Sequence, residues 1–454
     1  MRERLRAMIS KRTADFADIR YEIRKQTVIS FSGREIKQVN ASATDGYVVR
    51  AQSGTGFSSA VVTKEEDVPR ALSLAAEGAS TMMRFGGKKV ELAPVPVIED
   101  DVEPVMGVDP RQIPVSDKIA ATRDCNALML DQPGIATTNL AYHEVCREKF
   151  YVNSEGTAIR EVLVTVAIAG EVVAKKGDLL QNIRIAVGGA DGWESLVGRE
   201  DVFLERAGIA ARLLDAEPVK GGTYDVVLNP SMAGVFTHEA FGHFSEADII
   251  EDNPSLRARM ALGAQLGSEA VSIVADSTLP GQLGLYRYDD EGVAVRRVQL
   301  MKNGVLTGRL HSRATAASFG EAPTGHDVAE DYRYEPIVRM GTIFIEPGTA
   351  AVNDLFSRMG DGLYLLDAKG GQTSGENFTF GAQYGFVVEN GRVGRMIRDI
   401  NIMGNLFTTL ANISEAASDF RLSERGGCGK GQTNIKSSYG GPHVLIRGMV
   451  VGGV

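Results

Sequence analysis

The stretch THEAFGHFSEAD, residues 237–248, combines two histidines with a glutamate that directly follows the first of them. Imidazole nitrogens are common zinc ligands, and a carboxylate beside such a ligand can act as a general base. In the common HExxH zinc helix the histidines are four residues apart, about 40° apart on one face. Here His238 and His243 are five residues apart. On a regular α-helix that spacing separates them by about 140°.

A locally widened turn would return the two histidines to one face of the helix. A π-type turn has this effect, and such turns often mark functional sites. Gly242 supplies backbone freedom for a distortion or a helix end at this point. The spacing therefore predicts a widened or broken helical turn at Phe241 and Gly242. The alternative interpretation is a pair of buried, hydrogen-bonded histidines with Glu239 at the surface.

A catalytic zinc site needs three protein ligands and one open position. Cys428, in the glycine-dense loop ERGGCGKGQT, suits the third position best. A thiolate binds zinc strongly, and the flanking glycines let the backbone approach a metal closely. A free thiol in a loop is the alternative interpretation of this cysteine. The other candidates for a third ligand are His311, His326, His443, Glu246 and Asp248.

Four motifs, in order along the chain, resemble the TldD/PmbA family of metalloproteases. HEAFGH, followed by SEAD, looks like the HExxxH motif of that family, and GGCGKGQ looks like its C-terminal cysteine loop. Between them, YRYEPIVRM and KGGQTSGENFTFGAQYGFVVENGRV are similar to two further family segments. The N-terminal DIRYE and GYVVRAQSGTGFSSA also fit the opening domain of the family, so the resemblance spans nearly the whole chain.

The resemblance implies a role for each matching residue. His238, His243 and Cys428 would bind Zn²⁺, and Glu239 would be the general base that takes a proton from the metal-bound water. The implied activity is zinc-dependent hydrolysis of peptide bonds in unfolded polypeptides or small peptides. Family members form homodimers, or heterodimers with a TldE/PmbA-type subunit that lacks the ligands. Because this chain keeps the full motif and the cysteine, it resembles the active TldD-type subunit.

Two other functions are compatible with the same motifs. The first is a non-catalytic scaffold or regulatory subunit of a TldD/TldE-type complex, with a structural metal or none. An intact Glu239 argues against it, because a structural zinc site does not need an adjacent general base. The second is a zinc hydrolase that acts on small amides, which only a panel of substrates would separate from a peptidase.

The elements that must position these residues indicate an α+β protein. At 454 residues the chain is too long for one ordinary domain. We predict an N-terminal α/β domain over residues 1–218. A mainly antiparallel β domain that carries the metal-binding helix is expected over residues 219–454. Many of the 51 glycines fall in the second half beside short apolar runs, and MKNGVL and VENGRV each place Asn-Gly between strand-like arms, a strong hairpin signal.

Composition narrows the class of protein further. Hydrophobic residues make up 43% and charged residues 24%, which is typical of a soluble globular protein. The net charge of −9 gives no hint of a nucleic-acid-binding face, and no apolar stretch is long enough to span a membrane. The N-terminus lacks the apolar core of a signal peptide, so we expect a cytoplasmic location. The two other cysteines, Cys125 and Cys146, are interpreted as buried free thiols.

Three further motifs resemble other functional sites but lack residues that those sites need. SGTGFSSA lacks the third glycine of a dinucleotide-binding loop, and CGKGQT lacks the Ser or Thr of a P-loop. His143 precedes a glutamate but has no second histidine at ligand spacing. Arg333 and Arg339 could meet a peptide carboxylate, but a structural role is at least as good an interpretation, and neither is included among the predicted site residues.

Overall fold

The computed structural model describes residues 1–424 and 426–453. The N-terminal half forms one sheet and four helices. Its strands are β1 (Phe16–Ser32), β2 (Glu35–Ser53), β3 (Gly56–Val62), β4 (Glu99–Val102), β5 (Ile135–Asn153), β6 (Ala158–Lys176) and β7 (Leu179–Gly189). Its helices are α1 (Arg2–Ile9), α2 (Val68–Arg84), α3 (Val115–Leu130) and α4 (Glu200–Leu213).

The seven strands of the N-terminal sheet are ordered β3-β2-β1-β5-β6-β4, and β7 pairs with β6. Every neighbouring pair is antiparallel except β4 with β6. Side chains alternate between the two faces of a strand. Ile19 on β1 and Val152 on β5 lie on the face that packs against α2, while Ile29 and Tyr142, on the same face, belong to the core formed with α3 and α4. The helices therefore cover one face of the sheet.

The opposite face of the N-terminal sheet carries charged side chains that meet the C-terminal half. Arg50 Nη2 lies 2.5 Å from Asp18 Oδ2, and Arg50 Nη1 lies 3.5 Å from Glu291 Oε1. Lys149 Nζ lies 3.2 Å from Asp290 Oδ1. Together with Arg20, Glu161, Asp289 and Asp327, these residues form what we call the interface cluster.

The C-terminal half contains sixteen strands and seven α-helices among the residues described. The strands are β8 (Glu217–Pro218), β9 (Gly222–Leu228), β10 (Ile273–Ala275), β11 (Val298–Lys302), β12 (Val305–Leu306), β13 (Asp327–Val328), β14 (Ile337–Val338), β15 (Thr342–Ile345), β16 (Gly362–Ser374), β17 (Asn377–Glu389), β18 (Arg392–Arg398), β19 (Ile400–Asn405), β20 (Ile413–Ala416), β21 (Arg421–Leu422), β22 (Ser438–Gly441) and β23 (Val444–Gly452). The helices are α5 (Pro230–Phe236), α6 (His243–Ser245), α7 (Ala247–Ile250), α8 (Pro254–Arg259), α9 (Arg313–Phe319), α10 (Val352–Met359) and α11 (Leu406–Asn412).

Two larger sheets enclose the core of this half. In one, the pairings β16-β9-β23-β19-β17 close on themselves because β17 also pairs with β16. The other has the order β12-β11-β10-β15-β22-β21. Most pairings are antiparallel, and the parallel ones include β9 with β16 and β15 with β22. Phe236 and Phe241, which are fully buried, share one apolar core with strands of both sheets, so the helical segment that carries them lies between the sheets.

The predicted α+β class is confirmed, with an antiparallel N-terminal sheet as well as a β-rich C-terminal half. Both predicted Asn-Gly hairpins are present. Asn303 and Gly304 have φ of 47° and 77°, and Asn390 and Gly391 have φ of 51° and 75°. Positive φ at both central residues is what a type I′ turn requires. The predicted domain boundary at residues 218 and 219 follows β8, which pairs with β18, and it stays a prediction.

No helix in the part of the chain that the structure describes combines the length and the apolar character needed to cross a bilayer.

Candidate metal centre

The helix that carries the histidines begins at Asn229, whose side chain accepts a hydrogen bond from the backbone N–H of Met232 at 3.0 Å. It is α-helical until Phe236, is π-helical over Thr237–Gly242, and returns to α-helix as α6. The widened turn that the five-residue spacing predicts is therefore present. It brings the rings of the two histidines together, with centroids 5.3 Å apart.

Gly242 is needed for a different reason from the one predicted. Its φ of −57° and ψ of −45° are ordinary helical values, so the backbone freedom of glycine is not used. A Cβ at this position would instead overlap Met340 Sδ and press on Ile343. The residue is small because β15 and the segment before it pack directly against the π-helical turn.

Cys428 completes a group of three candidate ligand atoms. One nitrogen from each of His238 and His243 and the Cys428 Sγ all lie within 4.8 Å of one another, and Sγ is 3.3 Å from His243 Nε2. Ligand atoms around a tetrahedral zinc ion are roughly 3.4–3.6 Å apart, given Zn–N and Zn–S bonds of about 2.0–2.3 Å. Among the residues that the structure describes, this is the one His/Cys/Asp/Glu group whose three ligand atoms all lie within 4.8 Å of one another.

The unsatisfied nitrogens of His238 fit a metal. His238 is 1% exposed, and neither Nδ1 nor Nε2 has a hydrogen-bond partner among the described residues. Burial, with a contribution from the nearby His243, lowers the pKa of His238 to about 3, so its imidazole is neutral and has a free lone pair. Buried polar atoms nearly always have a partner, and a metal ion would supply one here.

Cys428 is held by a short, hydrogen-bonded loop. It exchanges both backbone hydrogen bonds with Ile435, each 3.0 Å long, and its carbonyl accepts a hydrogen bond from Arg339 Nη2 at 3.1 Å. Lys430 ties the loop to the helix, because its Nζ contacts Glu246 Oε2 at 3.0 Å and Asp248 Oδ1 at 2.8 Å. The thiol is therefore positioned by groups on both sides of the loop.

Glu246 is not one of the three candidate ligands; its carboxylate contacts the ring of His243. Its Oε2 lies 2.9 Å from His243 Nδ1, which leaves Nε2 turned toward the cysteine. Burial opposes the charge of this carboxylate, but Lys430 and the histidine outweigh it and lower the pKa of Glu246 to about 2. Burial likewise opposes protonation of His243, but its contacts with Cys428 and Glu246 raise its pKa to about 10. A carboxylate on the outer nitrogen is the usual partner of a metal-binding imidazole.

Glu239 lies beside the three candidate ligands. Its Oε2 is 3.7 Å from His243 Nε2, and its side chain keeps 30% exposure. Burial raises the pKa of this carboxyl group, which makes it a better proton acceptor than a free glutamate. Thr373 Oγ1 on β16 donates a hydrogen bond to the Glu239 carbonyl at 3.1 Å and so fixes the turn. The arrangement could bind a cation and accept a proton next to it.

The remaining third-ligand candidates lie outside this group. His311 pairs with Glu321, His326 Nδ1 bonds to the Thr324 carbonyl, and His443 bonds to Asp419. Asp248 contacts Lys430 and is not part of the cluster.

The two arginines left out of the predicted site both contact other residues of the chain. Arg333 makes an ion pair with Asp331, and Arg339, 1% exposed, supports the cysteine loop. Sequence reasoning missed Lys430, although a lysine two residues after the cysteine and two acids in SEAD are a possible signal for this bond. Cys125 and Cys146 are buried free thiols, as predicted.

The fold and site together define an α+β protein in which two histidines, on a π-widened helix between two sheets, lie beside a cysteine on a loop. Domain 1, the central domain and the C-terminal domain described for PmbA/TldA metallopeptidases match residues 17–80, 108–215 and 221–453. The chain belongs to the PmbA/TldD family of metallopeptidases.

Relatives named as metalloproteases span nearly the full chain. A metalloprotease of Synechocystis sp. is 37% identical over 445 residues, which cover 97% of this chain and 95% of the relative. A protein named zinc metalloprotease TldD homolog, from Saccharolobus solfataricus, is 29% identical over 453 residues and 97% of both chains.

Solved structures share the fold. TldE from Thermococcus kodakarensis has a TM-score of 0.78 at 17% identity, covering 99% of both chains. A Thermotoga maritima protein, described as a candidate modulator of a DNA gyrase, has a TM-score of 0.81 at 19% identity, again over 99% of both chains. At these identities the likeness establishes the architecture.

Proposed function

We propose that this protein is a zinc-dependent peptidase in which His238, His243 and Cys428 bind the metal and Glu239 is the general base. The observation that carries the proposal is the π-helical turn. It gathers the two imidazoles and the thiol around a point where both nitrogens of His238 lack a partner among the described residues. The names of the relatives as metalloproteases support the same function.

Zinc bound at this site would lower the pKa of a coordinated water toward 7 and polarise a peptide carbonyl. The chain supplies the remaining chemistry. Glu239, with its raised pKa and partial exposure, accepts the proton of the attacking water and can return it to the leaving amine. Glu246 keeps His243 in one orientation through Nδ1, and Lys430 holds the cysteine loop against the same carboxylate. Proton transfer and support of the metal ligands would therefore depend on separate residues.

The proposed substrates are peptide bonds in unfolded polypeptides or small peptides. We further propose that the protein works in the cytoplasm as a homodimer, or as a heterodimer with a TldE/PmbA-type subunit. The shared fold with TldE supports a related partner, because homologous folds can present related interfaces. A scaffold with a structural metal would not need a partly exposed carboxylate 3.7 Å from a candidate ligand nitrogen.

The first test replaces the general base. Glu239→Gln should keep about one zinc per chain and lower kcat for peptide cleavage by roughly 10²–10⁴, the usual range for a general acid–base group. Metal content is measured by mass spectrometry, and cleavage by chromatography of a peptide panel. A metal-free wild type with unchanged activity would contradict the mechanism. A zinc-loaded wild type that cleaves no peptide but hydrolyses small amides would favour the alternative substrate class.

The ligand set has its own test. Cys428→Ser should lose most of its zinc, because a neutral hydroxyl is a far weaker zinc ligand than a thiolate. Cys125→Ser is the matched control, since Cys125 is a buried thiol away from the cluster. A serine variant at residue 428 that retains zinc as tightly as wild type would remove the cysteine from the ligand set.

A further inference from the structure

A cleft separates the polar face of the N-terminal sheet from the C-terminal half. It consists of two adjoining cavities of about 460 and 350 Å³, whose walls share Ala186 and Glu424. Strands β5, β6 and β7 form one wall. The chain on either side of Cys428 forms part of the other, including Arg421 and Lys436.

Three basic side chains in the cleft have no acidic partner. Arg184 and Arg421 line the larger cavity, and Lys436 lines the smaller one. Within residues 1–424 and 426–453, no carboxylate lies within 4.0 Å of any of these three cationic groups. The other arginines of the larger cavity, Arg199 and Arg206, are paired with Glu424 and Asp367. Glu205 also lines the larger cavity without an ion pair among the described residues, so the unpaired cations of the cleft outnumber its unpaired acids.

Of the three unpaired cations, Lys436 gives the strongest indication of a bound ligand. It is half-buried, and burial together with the nearby Arg24 lowers the pKa of its ammonium group. An unpaired, partly desolvated cation next to another cation costs stability. Charged groups that lower the stability of a protein are frequently found at functional sites, where a ligand of opposite charge binds to them. The acids in the smaller cavity are already engaged: Glu424 pairs with Arg199, and Glu330 accepts the backbone N–H groups of the loop.

The cleft is close to the candidate metal ligands. Ile435 lies directly opposite Cys428 in the loop, so the Cα atoms of Lys436 and Cys428 are at most roughly 10 Å apart. Tyr439 lines the larger cavity and packs its ring edge-on to His238, with centroids 5.7 Å apart. An extended peptide advances about 3.3 Å per residue, so a side chain about three residues from the cleaved bond would reach Lys436.

We infer that this cleft is a subsite for a carboxylate of the peptide substrate, bound by Lys436, Arg184 and Arg421. The inference rests on the peptidase function proposed above for the nature of the ligand. The carboxylate could belong to an aspartate or glutamate side chain or to the C-terminus of the peptide. The three cations would favour acidic segments over neutral ones of the same length.

The test measures binding separately from cleavage. Fluorescent peptides in four forms, with Glu or Gln about three residues from the central bond and with a free or amidated C-terminus, are titrated into zinc-loaded Glu239→Gln protein by anisotropy. In one of the two comparisons, Glu against Gln or free against amidated C-terminus, we expect the peptide with the carboxylate to bind about tenfold more tightly than its uncharged counterpart. This ratio corresponds to 1.4 kcal/mol. The Glu/Gln pair and the acid/amide pair identify the source of the carboxylate. Equal binding of all four peptides would overturn the inference.

Charge-removing variants locate the effect. In the Glu239→Gln background, Lys436→Met, Arg184→Gln and Arg421→Gln should each reduce the carboxylate preference, and the triple variant should abolish it. Arg392→Gln removes an exposed arginine on β18 as a matched control and should leave the preference unchanged. Lys436→Met should unfold at a temperature no lower than its parent, because an unpaired cation is lost. Loss of both stability and binding would instead make Lys436 a structural residue and overturn its role.

The two proposals fail in different ways. If wild-type protein cleaves the peptides without charge preference, the subsite is wrong and the peptidase function stands. If no peptide is cleaved but the carboxylate preference depends on Lys436 and Arg184, the cleft binds carboxylates and the peptidase function is wrong.

Discussion

The metal centre and the interface cluster are both buried groups of charged and polar side chains, and they differ in how their atoms are satisfied. In the interface cluster Asp290 contacts Lys149 at 3.2 Å and Arg20 at 3.3 Å, and it accepts the backbone N–H of Ala329 at 2.7 Å. In the metal centre neither nitrogen of His238 has a hydrogen-bond partner among the described residues, and His238 is in no ion pair. Arg20 Nε and Glu161 Oε2 of the interface cluster also lack hydrogen bonds, but both side chains are in ion pairs.

The difference separates a structural role from a ligand-binding one. Buried charges that satisfy one another join two parts of a chain, and removing one of them leaves its partners unpaired. Buried polar atoms left without partners cost stability unless something else binds them. The interface cluster therefore fixes the N-terminal sheet against the C-terminal half. In the candidate metal centre His238 has no partner among the described residues, which is consistent with the proposed zinc, and the cleft beside it holds cations without ion pairs.

The largest expected effect is on the free energy of unfolding, and it tests the structural role of the interface cluster. Asp290→Asn should lower the free energy of unfolding by about 3–5 kcal/mol, because Lys149 and Arg20 lose the carboxylate that they share. Zinc content per folded chain should not change. Denaturant titration measures the first quantity and mass spectrometry the second.

Asp101→Asn is the matched control for this variant. Asp101 pairs with Arg2 and Arg160 at the surface, with 47% of its side chain exposed, and exposed pairs contribute about 1 kcal/mol or less. Equal losses at Asp290 and Asp101, or loss of zinc from a stable Asp290→Asn protein, would contradict the separation of roles.

A smaller effect should come from His326, which lies between the two regions. Burial lowers its pKa to about 4, whereas an unfolded histidine titrates near 6.5. Between these values the unfolded chain takes up a proton that the folded protein does not. Stability is therefore complete above pH 6.5 and falls as the pH is lowered toward 4, by an amount on the order of 3 kcal/mol.

The measurement is a difference between two proteins. Urea unfolding of metal-free wild type and metal-free His326→Gln is followed from pH 4.5 to 7.5, so that every other titrating group contributes equally to both. The variant should show the shallower dependence. Parallel curves would mean that His326 has the same pKa in the folded and the unfolded protein, which would contradict the prediction.

Sequence alone predicted the parts of the molecule that local rules control. The five-residue spacing of His238 and His243 predicted a widened turn because helix geometry allows few other ways for both to face one ion. The hairpins at Asn303 and Asn390 followed from the positive φ that their turn requires. The role of Gly242 was predicted for the wrong reason, since the requirement comes from Met340, which is far away in the sequence.

Contacts between distant segments could not be predicted in the same way. Lys430 meets Glu246 and Asp248 across more than 180 residues, and no spacing rule connects them. The cleft at Lys436 likewise exists only because the cysteine loop packs beside the N-terminal sheet. Cys428 was identified through its glycine flanks and the family motif, which are local features of the sequence.

The smallest expected effect is on zinc affinity, and it comes from the carboxylate of Glu246 in the metal centre. Glu246→Gln should weaken zinc binding by about 10- to 100-fold, because His243 Nδ1 would lose the negative charge that orients the ring and raises its basicity. Competition with a chromogenic chelator measures the affinity, and activity at saturating zinc should fall less than the affinity does.

Asp248→Asn is the matched control, since Asp248 contacts Lys430 but neither histidine. If the effect passes through His243 Nδ1, this variant should weaken zinc binding by less than about threefold. If instead Asp248→Asn and Glu246→Gln weaken it equally, the carboxylates act by holding Lys430 and the Cys428 loop in place. The metal centre would then depend on a satisfied ion network of the same kind as the interface cluster, and the contrast between the two regions would apply only to the ligands themselves.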